Sequence, residues 1–470
     1  MAEPRFFATS YDRSQCSTGV VHIGFGAFHR AHQAVFIDDY MNKTSDLRWG
    51  IAAVNLRASE SQVISDAAQA ADGYLLKTIS PDGTQEFRKV RSHLEHWDGS
   101  KDLNSAATLL ARPSVSVVTI TITESGYAFD ENWALNLADA DVAADLAGGT
   151  PKTLYGFLAL GLSKRLAAGG APISILCCDN IRSNGRVLER AFHAFLDASG
   201  QIALGDWVRS HVSFPCSMVD RITPRSTQEL VTEVSRLFPA EAMWPIQAEA
   251  YLQWVLEDRF AGPVPALAGA GVQIVEDVEP FEEAKIRILN GGHTCLAYLG
   301  ALSGHHTFDA AIRDPKLRAH YDQWEVEEVL RGLGNNFPFD LNTYLAEVTH
   351  RFENEGIADQ LERICMDGYS KMGLYIRPTL DACLEQGITP NAGYASIASW
   401  VVFAKRFAAG QSAIPYHEPF WDVLAPMLVA GREEDLARDP QLWGGLPARV
   451  PDFAPDLTAA IKRMDARWPA

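Results

Sequence analysis

Apolar positions change their rhythm once along the chain. Val20, Val21 and Ile23 form a short apolar run that stops at Gly24 and Gly26, and a helical pattern follows through Ala31, Val35, Phe36 and Tyr40. Trp49 to Val54 predicts a second strand. Val115 to Thr123 is rich in β-branched residues and predicts a buried strand, as does Ile173 to Cys178. Trp207 to Pro215 leads into a strand-like edge over Cys216 to Pro224, and Val272 to Val275 reads as the last strand. From about Phe281 long helical patterns take over: Lys285 to Gly300, Trp324 to Leu333, Thr343 to Phe352, Ile357 to Cys365, Ile397 to Phe407, Phe420 to Ala430 and Pro455 to Arg467. The pattern predicts an α/β domain over residues 1–280 and a mainly α-helical domain over 281–470.

A length of 470 residues agrees with two large domains. With 47% hydrophobic and 21% charged residues, the composition is that of an ordinary globular protein. A formal net charge of −18 argues against a nucleic-acid face and against a polybasic membrane surface. The seven cysteines are scattered, with no C-x-x-C pair and no zinc spacing, so they read as reduced thiols in a cytoplasmic protein without a metal. His305-His306 reads as a surface feature. Met1 to Gln15 lacks an apolar signal core, and no apolar run approaches the roughly 20 residues of a membrane span. No long apolar stripe asks for a partner, so a monomer is expected, with a weak oligomer as the alternative.

Strand, glycine turn and helix is the opening of a Rossmann-type dinucleotide-binding unit. Its glycines let the backbone approach a pyrophosphate, and its helix N-terminus offers free N–H groups. The general fingerprint wants a third glycine where His29 stands. After the second strand, where such a unit carries its ribose-binding acid, the chain has Asn55, then Arg57, and its first acid is Glu60. That leaves the choice between NAD and NADP open. Polar residues crowd two strand ends, Glu124 after Thr123 and Asp179-Asn180 after Cys178. Ligands of open α/β sheets bind at such ends.

The densest chemistry is at Glu283 to His293, which places Lys285, Asn290 and His293 among apolar residues. On an α-helix Asn290 and His293 are neighbours, Lys285 and His293 share a side, and Lys285 and Asn290, about 140° apart, share one broad side, so the three would line one face of a buried helix. Oxidising a secondary alcohol by hydride transfer needs a base, donors for the developing alkoxide, and a dry, aligned site. Lysine serves as base when burial and positive neighbours lower its pKa. Two asparagine amides, Asn180 and Asn290, serve as the donors.

Six separated motifs resemble the long-chain polyol dehydrogenases of the mannitol 2-dehydrogenase type. They are Gly24 to Gln33, Thr121 to Tyr127, Cys178 to Gly185, Val219 to Pro224, Lys285 to His293 and Asp367 to Lys371. The resemblance implies a Rossmann-type domain, a helical domain, a cleft between them and a zinc-independent mechanism. It implies cofactor contacts along Gly24, Gly26, Phe28, His29 and Arg30, with Asn55 and Glu60 as the further candidates. Lys285 would be the base, Asn180 and Asn290 the oxyanion hole, and His293 the group that orients substrate. Glu124 resembles the carboxylate that exchanges the base's proton with solvent. Asp220, Arg363 and Lys371 resemble substrate contacts. The expected substrate is a sugar alcohol or ketose of the mannitol/fructose or arabinitol/xylulose type, with NAD as cofactor. The alternatives are a fructuronate reductase, whose extra cation would be Arg377, and a catalytically silent NAD-binding protein.

Overall fold

The computed structural model describes residues 5–70, 72–130, 133–239 and 245–468. The first four residues of the polar stretch Met1 to Gln15 lie outside the described residues. Contacts divide the chain into two units, Met1–Ile79 with Thr84–Glu279, and Ser80–Gly83 with Pro280–Ala470.

The first unit is built on six parallel strands: β1 (Thr18–Ile23), β2 (Gly50–Asn55), β3 (His93–Asp98), β4 (Val117–Ile120), β5 (Ile173–Cys177) and β6 (Val212–Ser213). Their order is β3-β2-β1-β4-β5-β6, so the winding reverses between β1 and β4. That reversal opens the crevice in which a doubly wound sheet binds its ligand. Strands β1, β2, β4 and β5 are buried along their whole length, which is why they read as apolar runs without alternation. The α/β first unit, followed by a mainly helical second one, has the fold class expected from the pattern.

Local departures have local causes. The helix expected after the glycine turn is two helices, Ala27–Ala31 and Gln33–Thr44. They break at His32, whose ring Nε2 reaches the Gln253 carbonyl at 2.7 Å. Strand β4 is shorter than Val115 to Thr123 because the Asp179 carboxylate accepts the N–H groups of Ile122 (2.9 Å) and Thr123 (3.2 Å). The Cys216 to Pro224 edge yields the strand Ser217–Asp220, paired antiparallel with Gln253–Glu257 in a separate three-stranded sheet. The strand expected over Val272 to Val275 is Gln273–Val275, at the rim of that small sheet.

The second unit packs helices around the long buried helix Asn391–Ala408, with Trp324, Trp400 and Tyr298 wholly enclosed. The helix expected over Ile357 to Cys365 shrinks to Leu361–Ile364, because Ala358 takes a left-handed backbone at φ 45°. Three segments widen to the i→i+5 turn of a π-helix: Lys285–Asn290, Gln323–Val329 and Met372–Ile376. Such turns are rare, and they occur often at functional sites. Among the described residues no helix is long and apolar enough to cross a membrane.

Candidate active site

At the reversal point of the first unit lies a pocket of about 330 Å³. Much of its wall comes from the ends of three neighbouring strands: Gly24 and Gly26 after β1, Arg57 and Glu60 after β2, and Thr121, Ile122, Thr123, Ser125 and Gly126 after β4. The two glycines do different work. Gly24 has φ 97°, and a Cβ there would sit 2.0 Å from the Thr121 carbonyl oxygen, so it permits close strand approach. A Cβ on Gly26 would meet nothing within 4 Å, which leaves bare backbone facing open space at the start of helix Ala27–Ala31. This is the cradle a pyrophosphate needs.

The expected cofactor residues divide on geometry. Gly24, Gly26 and Glu60 line the pocket, and Arg57 joins them, its guanidinium reaching the Ile122 carbonyl at 3.2 Å. Asn55 lies beneath, fully buried. Its Oδ1 accepts the Arg57 N–H and its Nδ2 donates to the Arg57 carbonyl, both at 2.8 Å, which fixes the bend after β2. Phe28, His29 and Arg30 are not on the pocket wall. Phe28 stacks on His32, while His29 and Arg30 are buried, with His29 bonded to Gln33 and His93.

The end of β5 carries the next group. Asp179 accepts the Tyr127 hydroxyl at 2.7 Å besides the two backbone N–H groups. Burial raises its carboxyl pKa to about 6, and the charge of Glu124 adds to the rise. Asn180 and Glu124 are exposed, and Asp220 is buried. Asn184 ties this motif to the next strand by exchanging bonds with the Ser217 backbone, N–H to Oδ1 at 2.9 Å and Nδ2 to carbonyl at 2.8 Å.

In the second unit, Lys285 opens a wide-turn segment and Asn290 closes it. On a regular α-helix these two would lie about 140° apart, whereas the i→i+5 turn brings residues five apart towards one side. Two glycines then carry the chain to His293. A Cβ on Gly291 would lie 3.2 Å from the Tyr375 carbonyl oxygen, and one on Gly292 only 2.6 Å from Glu325 Oε1. Both neighbours belong to the other wide-turn segments, so the glycine pair lets the helix press against them. Lys285 is buried. The Asn290 Oδ1 is buried without a donor, and among the described residues no protein acceptor takes its Nδ2.

His293 stacks on Phe352 (ring centroids 4.2 Å apart) and meets the Phe308 ring edge-on (4.5 Å). Burial holds its pKa well below the usual value, and the charges of Arg363, Arg351 and Lys371 push the same way. The structure therefore brings His293, Arg363 and Lys371 into one electrostatic neighbourhood. Lys371 donates to the Ile364 carbonyl at 2.8 Å, and burial lowers its pKa. Arg363 forks onto both oxygens of Asp359. Lys371 is placed by Gly368, where a Cβ would lie 2.3 Å from Trp400 Nε1 and 2.6 Å from the Tyr298 hydroxyl. Arg377 reaches the Leu442 carbonyl at 3.3 Å.

Sequence reasoning missed Arg351 and Glu325. Arg351 sits on the buried face of Leu341–Phe352 with Val348 and Phe352, and a charge inside an i, i+3, i+4 apolar stripe was the available signal. Glu325 is wholly buried, both its oxygens lack a donor among the described residues, and burial raises its pKa well above the ordinary range.

The chain matches the mannitol dehydrogenase Rossmann domain over residues 18–269 and the mannitol dehydrogenase C-terminal domain over 277–464. It is 36% identical over 436 residues to a D-arabinitol 4-dehydrogenase of Klebsiella pneumoniae, covering 92% of this chain and 95% of that one. It is 32% identical over 463 residues to a mannitol 2-dehydrogenase of Cereibacter sphaeroides, covering 98% and 95%. Among solved structures, the Pseudomonas fluorescens mannitol 2-dehydrogenase ternary complex with NAD and D-mannitol is similar at a TM-score of 0.87 and 32% identity, covering 99% of this chain and 95% of that one.

Proposed function

The chain belongs to the mannitol dehydrogenase family, and from that premise we propose that it is an NAD-dependent dehydrogenase that interconverts a five- or six-carbon polyol and its ketose without a catalytic metal. The observation that carries this reading is the wide-turn segment. It offers a buried amine, an amide whose N–H₂ has no protein acceptor among the described residues, and, three residues on, an imidazole beside three cations.

The glycine-turn pocket fits a dinucleotide. Gly24 and Gly26 would admit the pyrophosphate, and Glu60 would accept from the ribose diol, which favours NAD over a cofactor carrying a 2′-phosphate. The chemistry NAD supplies when bound is hydride acceptance. The chain supplies the rest. Lys285, which is buried, takes the hydroxyl proton as general base. Asn290 and Asn180 donate to the oxygen as its negative charge grows. His293 stays neutral, so it carries one donor and one acceptor for a neighbouring hydroxyl. Arg363, Lys371 and Asp220 contact the outer hydroxyls, and Glu124 returns the base's proton to solvent. Among the described residues no three His, Cys, Asp or Glu side chains converge as a metal site.

The testing experiment is a panel of mannitol, arabinitol, sorbitol and mannonate, each with NAD and with NADP. The reading predicts NAD-linked oxidation of a neutral polyol that survives chelation. Turnover confined to mannonate would replace it with the uronate reading, and tight NADH binding without any turnover would replace it with the silent one.

A further inference from the structure

A second pocket of the first unit shares no wall residue with the glycine-turn pocket. It lies where β1, β4 and β5 meet the helix Gln33–Thr44 and the strand Gln253–Glu257, and its volume is about 160 Å³. Its wall is overwhelmingly aliphatic and aromatic: Val20, Val117, Leu176, Ile37 and Leu256 face it, with Phe260 beside them. An apolar cavity of about 150 Å³ is large enough to take benzene and to stay dry.

Five wall residues carry polar groups: His29, Gln33, Thr119, Trp254 and Asp258. Trp254 and Gln33 are each 1% exposed, and among the described residues Trp254 Nε1 and Gln33 Nε2 are both buried without an acceptor. The other end of the Gln33 amide is satisfied by His29 Nδ1 at 3.2 Å. Turning the amide round would still leave one polar atom of Gln33 unmet, while the indole N–H is a donor in any case. Buried polar groups in folded proteins are nearly always paired, so an unmet pair on one pocket wall calls for an occupant. Water is a poor one, because it needs two to four polar partners and the wall's Thr119 and His29 are already engaged, Thr119 Oγ1 with His22 Nδ1 at 2.8 Å and His29 with Gln33 and His93. A charged ligand is worse. Asp258 is the only Asp, Glu, Lys or Arg on the wall, so an anion would be desolvated beside a carboxylate.

The geometry points to a binding site for a compact, uncharged, mostly apolar molecule of six or seven carbons that carries one oxygen acceptor, such as a cyclic ketone. The ring fills the aliphatic chamber, and the oxygen takes the Trp254 N–H and the Gln33 amide. The site is separate from the polyol chemistry, and its wall includes the helix that follows the glycine turn.

The test is isothermal titration of the full chain with cyclohexanone, using toluene as the probe that lacks the oxygen. Cyclohexanone should bind one site saturably at submillimolar concentration, within the range open to a seven-atom ligand. Trp254→Phe should weaken cyclohexanone about fivefold to tenfold, the worth of one neutral hydrogen bond, and leave toluene unchanged. Leu256→Trp should abolish both and leave kcat for polyol oxidation intact. The proposal is overturned by a lack of saturable binding up to about 10 mM, or by equal cyclohexanone affinity in Trp254→Phe. Binding that persists in Leu256→Trp also overturns it, as does a crystal soak that fills this pocket with water alone.

Discussion

Replacing Asn290 by alanine should separate catalysis from stability. The residue closes the wide-turn segment; among the described residues its side chain makes no hydrogen bond, while its backbone carbonyl accepts the Thr294 hydroxyl at 2.8 Å. That bond survives the substitution. The Oδ1 is buried without a donor, a state that costs about 1–3 kcal/mol, and alanine removes it. Alanine also gains up to about 0.7 kcal/mol of helix propensity. Against these stands the small void left by a truncated amide. The balance is near zero or favourable, so Tm should move by no more than about 3 °C. Catalysis should behave quite differently. Loss of one preorganised donor to a developing oxyanion costs about 2.7–4 kcal/mol, or 10²–10³ in kcat. The assay pairs steady-state kinetics at saturating NAD with thermal unfolding of the same preparation. A fall confined to kcat/KM through KM alone would mean uniform binding rather than transition-state stabilisation. A Tm loss on the order of 10 °C would mean that the amide is structural. Either result refutes the assignment. Asn290→Asp provides the matching control, since it sets a carboxylate against the growing charge and should lose more than alanine does.

Three further outcomes follow from the geometry. Gly368→Ala drives a Cβ to 2.3 Å from Trp400 Nε1 and 2.6 Å from the Tyr298 hydroxyl, both fully buried, so it should cost about 1–3 kcal/mol and lower Tm by roughly 3–10 °C; an unchanged melting curve would refute it. Asp179 ionises near pH 6 when folded but at its ordinary 3.8 when unfolded, so its contribution to stability is full below about pH 4, declines as pH rises to 6 and is constant above. Urea midpoints of the native chain should therefore fall relative to Asp179→Asn across that window, and parallel curves would contradict this. Burial and its cationic neighbours should keep His293 neutral around neutral pH, so its ring nitrogens should show no NMR titration at the usual imidazole midpoint, and a midpoint near 6.5 would contradict this.

Much of this was legible in the chain because it rests on local pattern. The buried parallel strands announce themselves as apolar runs, and β1 with its two glycines marks the crevice. What the pattern hid was tertiary. The break at His32 depends on a carbonyl 221 positions away. The truncation of β4 depends on Asp179, a residue from the end of a neighbouring strand. Helical periodicity set Lys285 and Asn290 on one broad side, about 140° apart, and nothing in the residue types marks the wide turn that the segment adopts. His29, a misfit to the general glycine fingerprint, lies off the glycine-turn pocket, so its place in the motif reflects packing around Gln33 and His93. Arg351 and Glu325 went unnoticed because a charge within a helical stripe reads as noise until burial makes it a cost.

The central claim is that the Lys285 amine takes the proton from the alcohol. Its direct test is single-turnover oxidation of the preferred polyol by Lys285→Ala, measured beside NADH affinity of the same protein. The expected rate is lower by several orders of magnitude, comparable to losses when an essential acid–base group is removed, with the NADH dissociation constant unchanged. A Lys285→Ala enzyme that turns over at the native rate would contradict it.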